Sequence, residues 1–404
     1  MDSLKTLYDT GETNAYTITI TSNAADTQLS TAAEFNAINN ATSVAVNATS
    51  VTALASSDLS DIKTLLTAGN DTDQFTDTSF ASLTGVTVSD ETLDGSDLAD
   101  AIDQANSATG DTSVVFTISA ATTIEGSEAN FTALLTDDGN NQIDIDDQDI
   151  SVSGTISVDN ANLLDLATTG TITASIDTDE TVTELKTLTG TTHAYTIVIA
   201  AGDATSSSAS DLNTINEKTT EAINASAITA FTSDTIDNIK TLLTAGNDTD
   251  QFTANSFSSL ATAVVSDTTL DVSDINDAVT QANSATGATS TVFTITAVDD
   301  INGGTAAEFT TLLANETASQ LSITDQNLTV DSGTISVANA RALSATTSGT
   351  VTGTITSGTT IAAMVDGSSG LTETSNAYTI TIASGDAEAP AANITALYGK
   401  TSVA

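Results

Sequence analysis

The sequence predicts an α/β solenoid, built of stacked strand-corner-helix coils of about 24–30 residues, with a parallel sheet on one flank and short helices on the other. Three observations lead there. Long strings recur: LLTAGNDTDQF begins at Leu65 and Leu242, QANSATG at Gln104 and Gln281, SGTISV at Ser153 and Ser332, and AYTI at Ala15, Ala194 and Ala377. Within each long repeat, strand-like segments return near Ala15, Val44, Val86, Val114, Gln142 and Thr171, then near Ala194, Ala222, Val264, Val292, Gln320 and Thr350. Between them lie short amphipathic helices that could not be stable alone in water, so each must be buried by its neighbours. The expected organisation is residues 1–180 for the first long repeat, 181–363 for the second and 364–404 for the start of a third, in one continuous solenoid.

The repeating unit is clearest from Val86 to Gly110. Val86 and Val88 fall on one side of an extended segment, and Thr87 and Ser89 on the other. Ser96 is placed to cap a helix whose Leu98, Ala101, Ile102 and Ala105 form one apolar stripe, and Gly110 tolerates the left-handed turn that ends it. Further helix starts are signalled by Thr31 with Glu34, Thr181 with Glu184 and Thr305 with Glu308, each fitting the capping box. The first strand alternates Tyr16, Ile18 and Ile20 against Thr17, Thr19 and Thr21. Strands separated by a helix pair in parallel through a right-handed crossover. The longer gap between Val44 and Val86 holds an extra segment, Leu65 to Phe80, read as a larger loop or an additional half-turn.

Composition removes several function classes. Lys and Arg number 7 against 53 Asp and Glu, a net charge of −46, so no nucleic acid or anionic membrane is expected as a partner through a basic patch. No run of 18 or more apolar residues occurs, so direct membrane insertion is not expected. Without Cys there is no disulfide or thiolate site, and with one His there is no multi-His zinc centre. That residue, His193, stands where Asn14 and Asn376 stand in the other repeats and is read as a polar residue at a strand entry. A carbohydrate-active enzyme would need an Asp pair and aromatic platforms, and 4% aromatics with no Trp leaves few; no catalytic residue is assigned.

Calcium is the one cofactor the sequence suggests. Gly-Asn-Asp-Thr-Asp occurs twice, placing Asp71, Asp73, Asp248 and Asp250 in tight turns where carboxylates and backbone carbonyls could hold the ion, although the same residues also suit an ordinary turn. A second acidic stretch runs through Asp137, Asp138, Asp144, Asp146, Asp147 and Asp149. Its counterpart in the second repeat has Asn315 for Asp137, Ser322 for Asp144 and Thr324 for Asp146, which argues against a shared cage and for a solvated acidic face. Outward Thr17, Thr19, Thr196, Thr294, Thr296, Thr379 and Thr381 suggest a sheet face for ice or polysaccharide, with ordinary strand propensity as the plainer account.

The segments SGTISV from Ser153 and Ser332, GTITAS from Gly170 and GTVTGTI from Gly349, and the capped helix ASDLNTINEKTT from Ala209, resemble repeats of very large acidic surface proteins of marine cyanobacteria and related bacteria. The resemblance implies an extracellular or cell-surface setting rich in calcium, and a role in the envelope, adhesion or surface motility. The expected function is a structural repeat protein serving as spacer, surface-layer element or fibre subunit, with surface glycans as possible partners. Its first residues, Ser3 to Leu7, read as a helix and its last, Thr401 to Ala404, as a strand entry, so self-association head to tail, or membership of a longer chain, is expected.

Overall fold

The computed structural model describes residues 14–21, 30–110, 112–288, 290–372, 375–386 and 388–403; the expected helix Ser3–Leu7 and the final residue Ala404 lie outside them. The chain divides into two compact units. The first comprises Met1–Asp177, Thr187–Thr196 and Lys218–Thr220, the second Thr178–Lys186, Ile197–Glu217 and Glu221–Ala404.

In the first unit the described elements are α1 (Ala32–Asn40), α2 (Leu59–Gly69), β1 (Gly85–Thr87), β2 (Thr92–Asp94), α3 (Gly95–Thr109), β3 (Val115–Thr117), β4 (Thr123–Ser127), α4 (Glu128–Gly139), β5 (Asp149–Ile156), α5 (Val158–Ala167), β6 (Ile172–Ile176) and β7 (Ala194–Thr196). In the second they are α6 (Val182–Leu185), α7 (Ala209–Asn216), β8 (Ala230–Asp234), α8 (Ile236–Gly246), β9 (Thr262–Val265), β10 (Thr269–Asp271), α9 (Val272–Thr286), β11 (Val292–Thr294), β12 (Asp300–Thr305), α10 (Ala306–Thr317), β13 (Asn327–Ser332), α11 (Val337–Thr346), β14 (Val351–Thr354), α12 (Ile361–Met364), β15 (Ala377–Thr379) and α13 (Ala391–Tyr398). The fold is α/β: parallel sheets alternate with helices and do not close into a barrel. The first unit has sheets ordered β1-β3 and β2-β4-β5-β6-β7, the second β11-β9-β8 and β10-β12-β13-β14-β15.

Two sheets per unit, rather than one, is a departure from expectation with a local cause. Each strand-corner-helix unit bends at its corner, so β1 and β2 enter different sheets although only a short corner separates them. Strands such as Thr92-Leu93-Asp94 bury a single side chain, too few for alternation to be visible in the sequence.

Register builds the core. Leu93 lies opposite Ile124, Ile124 opposite Ile150 and Ile150 opposite Ile172, and all four are at most 1% exposed. The second unit repeats the arrangement with Leu270, Ile301, Leu328 and Val351. Burying each such side chain contributes about 1.5–3 kcal/mol, more than the roughly 1 kcal/mol spanned by strand propensity, so stacking and not local preference holds these short strands.

Helix starts follow the expected chemistry with one correction. Thr181 with Glu184 and Thr305 with Glu308 form complete capping boxes, and Thr31 accepts from the Glu34 N–H. At α3, however, the cap is Asp94: its Oδ1 accepts from the N–H groups of Ser96 at 2.8 Å and Asp97 at 3.1 Å. A carboxylate there also meets the positive end of the helix dipole, which a serine hydroxyl does not. Leu98, Ala101, Ile102 and Ala105 are fully buried and Gly110 is left-handed, as the spacing requires.

The extra segment Leu65–Phe80 belongs to a complete strand-helix unit of its own. Val46 bridges Phe75, and Ala53 bridges Gly85, both in parallel, with α2 between. The string LLTAGNDTDQF therefore encodes the end of a helix, a turn and a buried ring. Gly69 leaves room for Phe80, whose ring would lie 2.8 Å from a Cβ there, and Gly246 does the same for Phe257.

Candidate functional site

The segment from Asp138 to Gln148 leaves α4, turns through Asn141 in the left-handed region, and reaches β5. It forms one wall of a cleft of about 620 Å³ in the first unit, facing Phe116 and Ile118. Three of the six acidic residues singled out in the sequence converge here. Asp138, Asp144 and Asp146 each place a carboxylate oxygen within 4.8 Å of the others, with Asp138 half-buried and the other two exposed. Among the described residues this is the one group of carboxylates with such spacing.

Charge is crowded at this wall. Burial raises the Asp138 carboxyl above its ordinary value; the Ile145 N–H opposes that, and the charges of Asp146 and Asp144 add to it. Burial, with Asp103 nearby, pushes Asp137 up to about 6. The second repeat keeps only the half-buried carboxylate, as Glu316, which burial also raises against the Ile323 N–H.

Gln148 lines the same cleft and is 7% exposed. Its Nε2 donates to the Ala121 carbonyl at 3.4 Å, while its Oε1 has no partner. Leaving a buried amide oxygen unpaired costs about 1–3 kcal/mol. The counterpart Gln326 is anchored likewise through the Val298 carbonyl, but its Oε1 accepts from the N–H of Thr324 at 2.9 Å and of Asp325 at 3.4 Å. In the first repeat the N–H equivalent to that of Thr324, on Asp146, is taken by Asp144 Oδ1 at 3.1 Å. The acidic side chains thus rewire the turn, and the Gln148 oxygen lacks the backbone donors that its counterpart has.

Asp71 and Asp73 lie in the exposed turn after α2, and Asp248 and Asp250 in that after α8. Asp71 accepts from the Asp73 N–H at 3.0 Å and from Gln74 Nε2 at 2.9 Å, and Asp248 repeats both bonds with Asp250 and Gln251. Hydrogen bonds from Gln74 and the Asp73 N–H hold Asp71 below its ordinary value, and those from Gln251 and the Asp250 N–H do so for Asp248. Among the described residues no third carboxylate joins either pair within ligating distance.

His193 is buried, accepting the Ile172 N–H on Nδ1 at 3.1 Å and placing Nε2 2.6 Å from Asp165. That assigns the proton to Nε2 in the neutral ring. Asn376 reproduces the pattern, with Oδ1 accepting from the Val351 N–H at 2.8 Å and Nδ2 donating to Ser344 at 3.0 Å. His and Asn are interchangeable here because each offers one acceptor and one donor in the same directions.

A last feature lies along β15, α13 and the segments that follow them, where Ile382, Ile394, Tyr398 and Val403 are 51, 47, 74 and 42% exposed around an apolar groove of about 220 Å³. Thr401 donates to the Tyr378 carbonyl as Thr219 does to that of Tyr195, which aligns the two regions and makes Ile382 and Ile394 the equivalents of Ile199 and Leu212. Ile199 and Leu212 are at most 2% exposed, and their helix α7 packs against α8. No helix in the described residues is long and apolar enough to cross a membrane. Compared with known proteins, the chain matches no family model and no curated sequence.

Proposed function

We propose that the protein is a structural repeat protein of the cell exterior, an α/β solenoid in each unit, that serves as a spacer, surface-layer element or fibre subunit and associates with further molecules of itself. The observation that carries this reading is the apolar groove on β15 and α13. Equivalent faces within the chain are covered: α2 packs on α1 and α8 on α7. The face therefore has the chemistry of an interior contact, and another repeat unit of the same kind is its natural complement. A second molecule is the occupant put to the test, since the charge of −46 disfavours lateral aggregation and leaves this apolar face as the point of contact. Sedimentation velocity over a concentration series tests it. Wild type is expected to form larger species as concentration and salt rise, whereas I394D/Y398D stays monomeric with an unchanged circular-dichroism spectrum. A wild type that remains monomeric throughout, or a double variant that assembles equally, overturns the reading.

A further inference from the structure

We propose that the first long repeat, and not the second, holds a calcium ion between Asp138, Asp144 and Asp146, with the amide oxygen of Gln148 as the neutral donor behind them. The carboxylate oxygens lie within 4.8 Å of one another, close enough for one ion with bonds of about 2.3–2.6 Å to touch all three. Two independent features point to a cation rather than to a merely acidic surface. The first is the buried, unpartnered Oε1 of Gln148, which by the pose of Gln326 is directed at the turn carrying the carboxylates. The second is that one of the three carboxylates on this cleft wall is half-buried beside the other two, where a bound cation would offset their mutual repulsion. The counterpart turn holds Glu316, Ser322 and Thr324, and its glutamine is satisfied by backbone N–H groups, so the chain carries its own metal-free reference. Water supplies the ligands needed to reach six to eight oxygens.

Isothermal titration of the full chain with calcium, after chelation and at physiological salt, tests the assignment. Wild type is expected to take up one equivalent saturably and to bind magnesium at least about tenfold more weakly. D144S/D146T, which writes the second-repeat residues into the first, is expected to lose at least about tenfold in calcium affinity while keeping the melting temperature of the chelated wild type. S322D/T324D, which adds two carboxylates beside Glu316, is expected to gain a second equivalent. D71N/D248N is expected to titrate like wild type. No saturable uptake, unchanged affinity in D144S/D146T, equal affinity for magnesium, or loss of the equivalent in D71N/D248N overturns the proposal. None of these outcomes depends on self-association, which is read separately by sedimentation.

Discussion

Polar side chains at internal positions carry much of the specificity of this chain. Gln142, 1% exposed, exchanges bonds with Asn106, its Nε2 donating to Asn106 Oδ1 at 2.6 Å, and Asn283 with Gln320 repeats the pair. Asn70 donates to the Gln104 side chain at 2.8 Å, as Asn247 does to Gln281. Each pair ties a helix to the turn after a neighbouring helix, and they explain why QANSATG and GNDTDQ persist between repeats when their neighbours drift. Tyrosine supplies a matched contrast. Tyr378 donates to the Ala340 carbonyl at 3.2 Å, whereas the buried hydroxyl of Tyr195 has no partner and burial raises its ionisation well above the ordinary value. Y378F is therefore expected to lose about 1 kcal/mol in urea denaturation and Y195F to lose nothing or gain. Equal losses would show that the Tyr195 hydroxyl is satisfied in solution. The amide pairs were not legible in the sequence, because partners are more than 30 residues apart and nothing local marks them. The His193 reading was legible, since the chain itself offers Asn at the equivalent positions.

At the scale of elements, turn and cap residues decide where each unit begins. Gly170 and Gly349 open the Gly-Thr segments of β6 and β14, and a Cβ there would lie 2.2 Å from the Gln148 carbonyl oxygen or 2.4 Å from that of Gln326. Thr168 and Thr347 fix the approach, each donating to that same carbonyl and accepting the glycine N–H at 2.9 Å. G170A and G349A are expected to lower stability by about 2–3 kcal/mol or more, since the obstacle is backbone and cannot rotate away. A thermal or urea midpoint within error of wild type would contradict the close approach. Apolar stripes and glycine stops of the longer helices were readable because 15 residues of α3 give the period room to repeat. Short strands such as the three-residue β2 and β10 offer no such run, so the point where each unit divides into two sheets is not legible. The acidic turn is visible in the sequence, where its lack of a counterpart in the second repeat argues against a cage; its three-way convergence depends on the path through Asn141, which no spacing rule supplies.

For the whole molecule, the excess of acid has a structural use as well as a solvation one. Glu128 is held below its ordinary value by Asn160 and by the backbone and hydroxyl of Ser157, against a smaller opposing effect of burial. Burial works against ionisation of Asp234 and Asp165, and hydrogen bonds more than offset it, from Asn238 and Ser210 at the first and from Thr189 and His193 at the second. A carboxyl whose folded value is lowered stabilises the fold at pH above its unfolded value, and that stabilisation is lost as pH falls through the folded one. At moderate salt, where repulsion among exposed charges is screened beyond about 10 Å, the melting temperature is expected to fall steadily as pH drops below about 4. At low salt the fall should be shallower, because protonation also relieves a net charge of −46. A melting temperature that rises on acidification at both salts would show that repulsion outweighs the capping bonds.

Several helix starts are completed from downstream. The first N–H of α2 is accepted by Asp90 at 2.7 Å, that of α6 by Asp203 at 3.0 Å, that of α8 by Asp267 at 2.8 Å and that of α12 by Asp386 at 3.0 Å. During synthesis each of these helices would emerge before the aspartate that closes it. Folding on the ribosome would then trail elongation by about one unit, and any pause in translation would leave the newest helix frayed at its leading end.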